Sequence, residues 1–237
     1  MQIFEYTNKG ARKENQDYLL YRAIGEDNHI FILADGMGGY TFGDIAAKSV
    51  AESIYEYADA HIKDMAPAEI LRQAIPFANE ELSLRRFSYG GVKMGAVIVV
   101  MLLVGTNAYV TWLGDSRLYQ YRKTKLIFQT EDHSMVNDIR KIRFIKPSEY
   151  EFYSSVVTRC VMGDDKLGAV EVHTLPVENG DIFYLCSDGI HKVIEPVSLP
   201  ESDADAKAYL DEQQAQFDDN YSIFRIIAFP LKSNSVL

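Results

Sequence analysis

Hydrophobic residues fall in short, dense runs separated by polar turns along the whole chain. Residues 29–34 (HIFILA), 96–104 (AVIVVMLLV), 108–113 (AYVTWL), 118–121, 181–186 (DIFYLC) and 222–229 (SIFRIIAF) are short and rich in β-branched and aromatic side chains, and each predicts a strand. Several are apolar at odd and even positions alike, as expected of strands covered on both faces. Two segments between the first strands follow a different period. Over 43–62, Ala46, Val50, Ile54 and Tyr57 recur at steps of three and four and predict a helix with one apolar face. A second helix opens at Pro67, a residue suited to a first turn, and turns Ile70, Leu71, Ala74 and Ile75 inward. Pro76 is expected to kink or break it, because proline removes a backbone donor and crowds the preceding turn. Segments 134–141 and 204–217 carry fainter helical patterns. The order of elements is an α+β pattern, with antiparallel sheets covered by helices rather than strict βαβ alternation. No linker, repeat or low-complexity tract divides the chain, so residues 1–237 are read as a single domain.

Charge narrows the choice of partners. The 34 acidic side chains outnumber the 24 basic ones and leave a net charge of -10, so most of the surface repels polyanions and nucleic acid is not an expected ligand. The longest apolar run, 96–104, is too short to span a bilayer, and the opening MQIFEYTNKG lacks the basic and apolar regions of a secretory signal. A cytoplasmic monomer without membrane contact is expected. Two cysteines, Cys160 and Cys186, cannot build a disulfide framework. His29, His61, His133, His173 and His191 show no metal-ligand spacing, so a metal, if used, would be held by carboxylates.

The carboxylates are placed in a suggestive way. Three times an apolar run ends and an Asp beside a Gly follows: FILA-Asp35-Gly36, VTWL-Gly114-Asp115 and FYLCS-Asp188-Gly189. A mirror version, Asp218-Asp219-Asn220, directly precedes the run SIFRIIAF. A strand end holds a carboxylate rigidly, and an adjacent Gly lets backbone approach an ion. Hard divalent cations take oxygen ligands, and several carboxylates share a site only when cations neutralise them. Any one Asp-Gly pair is an ordinary turn. Their combination with Arg12 and Asp17, in the stretch from Gly10 to Asp17, adds a phosphate grip and a further oxygen near a metal.

In order, the chain presents Arg12-x-x-Asn15-Gln16-Asp17, Ala34-Asp35-Gly36-Met37-Gly38-Gly39 with Gly43, Gly114-Asp115-Ser116-Arg117 with Tyr119, and Asp132-His133-Ser134. Thr158-Arg159 with Gly163, Cys186-Ser187-Asp188-Gly189 and Asp219-Asn220 follow. Taken together, and over nearly the whole length, this series resembles the metal-dependent protein phosphatases of the PPM or type 2C family in their small bacterial form. The resemblance implies a four-layer α-β-β-α sandwich, two antiparallel sheets flanked by helices, with metals in a cleft at one end. It implies that Asp35 bridges two Mn²⁺ or Mg²⁺ ions, that the Gly36 carbonyl binds one of them, and that Asp188 and Asp219 hold the other. Asp115 matches a residue tied to a third, weakly bound ion. Arg12 and Asp17 match catalytic positions, Arg12 gripping the substrate phosphate and Asp17 contributing through a metal-bound water. Phosphoserine and phosphothreonine in proteins are the implied substrates, attacked by a water bridging the two ions, and a cognate Ser/Thr kinase is the implied counterpart. Asp219 is preferred to Asp218 because it directly precedes Asn220.

The series also departs from the family's pattern. Positions where other members carry a His are Met37 and Tyr40 here, so no side chain is assigned as general acid, and His133 and His191 are read as structural. The family's Gly-Thr-Thr strand opening appears as Met94-Gly95-Ala96-Val97. Between Ser134 and Val157, where the family carries a flap beside its site, the segment is short and carries Arg140, Lys141, Arg143 and Lys146. This patch is read either as a solvated face or as an attractor for an acidic, phosphorylated partner. Two other readings compete: a phosphatase-fold regulator that has lost turnover, and a dinucleotide-binding βα turn at FILAD-GMGG. The second lacks the full glycine fingerprint and leaves the other Asp-Gly motifs unexplained.

Overall fold

The computed structural model describes residues 1–37 and 41–228, with Glu151 described by its backbone alone. Gly38, Gly39, Tyr40 and Phe229, all used above, lie outside the described residues.

Among the described residues, ten strands form two antiparallel sheets. One contains β2 (Asp17–Ile24), β3 (Asn28–Gly36), β4 (Ala96–Val104), β5 (Asn107–Leu113) and β8 (His173–Pro176), in that spatial order. The other runs β1 (Gln2–Asn8), β10 (Tyr221–Ile227), β9 (Asp181–Cys186), β6 (Arg117–Arg122), β7 (Lys125–Gln129). Helices α1 (Gly43–His61) and α2 (Pro67–Ser88) cover the outer face of the first sheet. Helix α6 (Asp203–Glu212) packs its buried Ala206 and Leu210 against the outer face of the second. The result is the four-layer α-β-β-α sandwich implied by the resemblance.

The double-sided apolar runs explain why the layers are four. Along β3, Ile30, Ile32 and Ala34 join the layer under α1 and α2, while Phe31 and Leu33 join the layer between the sheets. In β4, Ile98, Val100 and Leu102 face the helices and Val99 and Met101 face the other sheet. Phe183, Leu185, Phe224 and Ile226 meet them from β9 and β10. Phe31 and Phe224 touch edge to face across the gap, 5.7 Å between ring centres. A strand that must fill two cores cannot alternate polar and apolar residues, so its sequence reads as an unbroken apolar run.

One expectation is corrected. Pro76 does not end α2, which continues to Ser88. The carbonyl left without an in-helix donor is that of Arg72, an exposed residue that water can serve, while Ala74, Ile75 and Ala78 on the buried side hold the helix to its neighbours. Strands β1, β2, β7 and β8 lie outside the runs read from the sequence. Two short helices, α3 (Met135–Ile142) and α4 (Pro147–Tyr153), fill the segment expected to be the flap, and a single turn, α5 (Asp188–His191), follows β9. Among the described residues no helix is long and apolar enough to cross a membrane.

Candidate metal centre

The antiparallel pairing gathers the carboxylates at one end of the sandwich. Asp17 opens β2 and lies directly opposite Asp35 near the end of β3. Asp188 follows β9 by two residues and Asp219 precedes β10 by two, and these strands are hydrogen-bonded neighbours. Asp115 lies in the link that carries the chain from β5 in one sheet to β6 in the other. Asp35, Gly36, Asp115, Asp188 and Asp219 line one cleft of about 680 Å³, together with Arg12 and Lys192. Asp17 lies beneath them, 9% exposed. Asp218 is exposed.

Two of the glycines beside these aspartates also serve close backbone packing. A side chain at Gly36 would run into the backbone carbonyls of Gly43 and Gln16, and one at Gly189 into the carbonyl of Asn220. Each Gly thus lets another segment of backbone pass close behind the aspartate. The Gly36 amide donates to the Gln16 carbonyl at 3.0 Å, locking the loop that holds Arg12 to the end of β3. Asn220 clamps the same loop. Its Oδ1 accepts from the Gln16 amide at 2.8 Å, and its Nδ2 donates to the carbonyls of Lys9 and Glu14 at 2.9 Å each.

Burial, reinforced by mutual repulsion, dominates the electrostatics. Burial, then the charges of Asp188 and Asp219, push the Asp17 carboxyl up to about 7 against the opposing pull of the nearby Ser222 and Ser187 hydroxyls. Asp35 is held well above the usual carboxylate range, first by the mass of protein around it and then by Asp17, Asp188, Asp115 and Asp219. Asp115 is pushed up to about 6 by burial and by Asp188, with Lys192 opposing. Two local cations relieve part of this charge: Arg12 Nη2 lies 2.7 Å from Asp219 Oδ2, and Lys192 Nζ lies 2.6 Å from Asp188 Oδ2. Among the described residues no three His, Cys, Asp or Glu side chains are close enough together to hold a metal ion as they stand.

One oxygen nevertheless demands a partner. Ser187 Oγ donates to Asp17 Oδ2 at 2.9 Å, while Asp17 Oδ1 is buried with no hydrogen-bond partner. An unserved carboxylate oxygen beside four further carboxylates fits a site built for hard divalent cations, whose ligands are oxygen.

Other motif residues serve as scaffold. Arg117 grips Asp132 with two parallel bonds of 2.7 and 2.8 Å and donates to Tyr119 at 3.1 Å. His133 Nδ1 accepts from the Gly114 amide at 3.2 Å and its ring stacks on Trp112. Ser134 Oγ caps α3. His191 Nε2 donates to the Asp115 carbonyl at 2.8 Å. Burial, joined by nearby Arg159 and Arg117 respectively, pushes His133 and His191 down to about 4, so both are neutral at physiological pH, in keeping with structural roles. Cys186 is fully buried, and burial raises its thiol well out of the reactive range.

The flap segment closes on itself. Ser134 and Val157 form a bridge, and Ser155 and Val157 line the cleft. Much of its basic patch is paired: Arg143 with Glu149 at 2.8 Å, Lys141 with Glu131 at 3.2 Å, and Arg140 over the Tyr150 ring. Met37 lines the cleft and anchors its amide on the Gly95 carbonyl at 3.0 Å. Lys192 is the site residue that sequence reasoning missed. Its signal was the spacing from Asp188 to Lys192, one helical turn.

This fold and site define a metal-dependent phosphatase class, and comparison with known proteins agrees. The family model Protein phosphatase 2C matches residues 8–223, and the chain belongs to that family. Protein phosphatase PhpP of Streptococcus pneumoniae is 27% identical over 199 residues, 82% of this chain and 80% of the relative. The Mycobacterium tuberculosis serine/threonine phosphatase PstP/Ppp superposes with a TM-score of 0.80 at 22% identity, covering 96% of this chain and 98% of that one. A PstP catalytic domain in complex with 2 manganese ions superposes with a TM-score of 0.76 at 22% identity, covering 94% and 96%.

Proposed function

We propose that this chain hydrolyses phosphoserine and phosphothreonine in proteins with two Mn²⁺ or Mg²⁺ ions. The observation that carries the reading is the crowd of five carboxylates at one cleft, with the buried Oδ1 of Asp17 unpartnered among them. Asp35 and Gly36, with Asp188 and Asp219, are the residues that would hold the ions, and Asp17 would support them from beneath. When bound, the ions supply a water acidified toward neutral pH and neutralise phosphoryl charge. A regulator without turnover has no need to keep so much like charge together.

The chain's own residues do the positioning. The cleft opens beside Arg12, whose side chain is 49% exposed and tied to the protein mainly through Asp219. With Asp219 holding an ion, the Arg12 guanidinium would be free to turn its fork on a phosphate. Asn220 and Gly36 keep the Arg12 loop at the cleft edge, so the grip is preorganised rather than assembled at each turnover. With Arg12→Ala the KM for a phosphothreonine peptide rises on the order of tenfold to a hundredfold, the scale of one charge-assisted bond, with a smaller change in kcat. An unchanged KM removes Arg12 from phosphate binding.

The reading also includes a cytoplasmic monomer acting opposite a Ser/Thr kinase, in keeping with the acidic surface. The direct test is release of phosphate from p-nitrophenyl phosphate and from a phosphothreonine peptide. Mn²⁺ should stimulate both reactions and EDTA abolish them. A folded protein with no Mn²⁺-dependent turnover on either substrate rules the reading out.

A further inference from the structure

Lys192 is an unusual neighbour for a cation site. It stands at the C-terminal end of the α5 turn, its amide donating to the Asp188 carbonyl at 3.0 Å. Its ammonium lies 2.6 Å from Asp188 Oδ2 and 3.9 Å from Asp115 Oδ2, so one positive charge spans a carboxylate from the β9–β10 end and one from the β5–β6 link. The preceding residue, His191, holds the Asp115 carbonyl at 2.8 Å, so two successive side chains fix Asp115 from the same turn. The side chain of Asp115 is 11% exposed and that of Lys192 50%, which places the ammonium at the cleft wall with its inner face on the carboxylates.

Charge balance gives the arrangement a meaning. Asp17, Asp35, Asp115, Asp188 and Asp219 bring five negative charges when all are ionised. Two divalent cations match four of them, and Arg12 is reserved for the phosphate. The fifth is left to Lys192. A third divalent ion between Asp115 and Asp188 would overshoot that balance and would have to displace an ammonium already 2.6 Å from its ligand. A lysine ammonium is a compact point charge with three donors, suited to bridging two carboxylates, and being tethered it is present at every metal concentration.

We propose that the Lys192 ammonium takes the place between Asp115 and Asp188 that a third ion would occupy, making the chain a two-ion phosphatase with its third cation covalently built in. The proposal rests on the phosphatase reading above and revises the role of Asp115 from weak metal ligand to partner of Lys192. Lys192 is then a positioning residue, holding Asp188 and Asp115 in register while Asp35, Gly36, Asp188 and Asp219 take the two ions.

Mn²⁺ stoichiometry, measured by calorimetric titration and by the electron paramagnetic resonance of free Mn²⁺, tests it on the purified full chain. Wild type and Lys192→Arg are expected to take up two ions and no more into the millimolar range. Lys192→Asn is expected to take up a third, weaker ion, and its turnover to gain a second activation phase at higher Mn²⁺. A third ion in the wild type overturns the proposal, as does a count of two in Lys192→Asn. In both cases the metal-dependent phosphatase reading stands. A wild type that binds no Mn²⁺ overturns both.

Discussion

Asp35→Asn is expected to lower Mn²⁺-stimulated kcat by about two to three orders of magnitude, the scale on which one preorganised charge-stabilising group acts. Asp35 is opposed by Asp17 across the strand pair and faces Asp188, Asp115 and Asp219, so it stands at the centre of the like charge. The amide keeps the volume and one oxygen but loses the charge that would offset two cations. Folding should not suffer, because the same change relieves repulsion. In the metal-free state Asp35→Asn is therefore expected to be at least as stable as the wild type. A variant that keeps more than a tenth of wild-type kcat, measured on a phosphothreonine peptide at saturating Mn²⁺, rejects Asp35 as the bridging ligand.

Stability of the metal-free protein should depend on pH through Asp17. Its carboxyl sits at about 7 in the folded chain against 3.8 ordinarily. Below about 4 both folded and unfolded chains hold the proton, and no penalty arises. Between about 4 and 7 the unfolded chain loses the proton while the folded chain keeps it, so stability falls as pH rises. The full cost, on the order of 4 kcal/mol at this site, is reached above 7. Denaturant unfolding in EDTA should thus show a steeper loss between pH 5 and pH 7.5 for the wild type than for Asp17→Asn. Saturating Mn²⁺ should reverse the loss at pH 7.5, since cations favour the ionised form. Parallel pH profiles for the two metal-free proteins would remove Asp17 as the source.

Legibility in the sequence followed physical constraint. Strands that fill two cores, such as β3 and β4, are unmistakable because no polar residue is tolerated on either face. Edge strands escape notice: β7 is largely exposed and β8 has only four residues ending in proline. Pro76 misleads because propensity reports the isolated helix, whereas burial of Ala74, Ile75 and Ala78 decides the folded one. Asp35, Asp115, Asp188 and Asp219 were legible from their places at strand ends, whereas Asp17 was legible only from the motif that begins at Arg12. The reason for their glycines was not, since it depends on which backbone passes behind them, and no local pattern encodes that. Asp132, His133 and Asn220 belong to the family's motif series, yet only the fold shows that they hold Arg117, Gly114 and the Arg12 loop. Lys192 was visible as a spacing but meaningless until Asp115 arrived beside it from the β5–β6 link.

The cleft takes Asp17 and Asp35 from one sheet and Asp188 and Asp219 from the other, with Phe31 and Phe224 meeting between the sheets behind it. The site is thus a pair of jaws whose pivot is the inter-sheet core. A small slide of one sheet over the other, too slight to register as unfolding, changes the spacing of the oxygens at the mouth. Conversely, ions seated there would tie the two sheets together. Metal affinity would then gauge packing at a distance, and trimming an aromatic ring in the pivot would be felt first as a loosened grip on the metal.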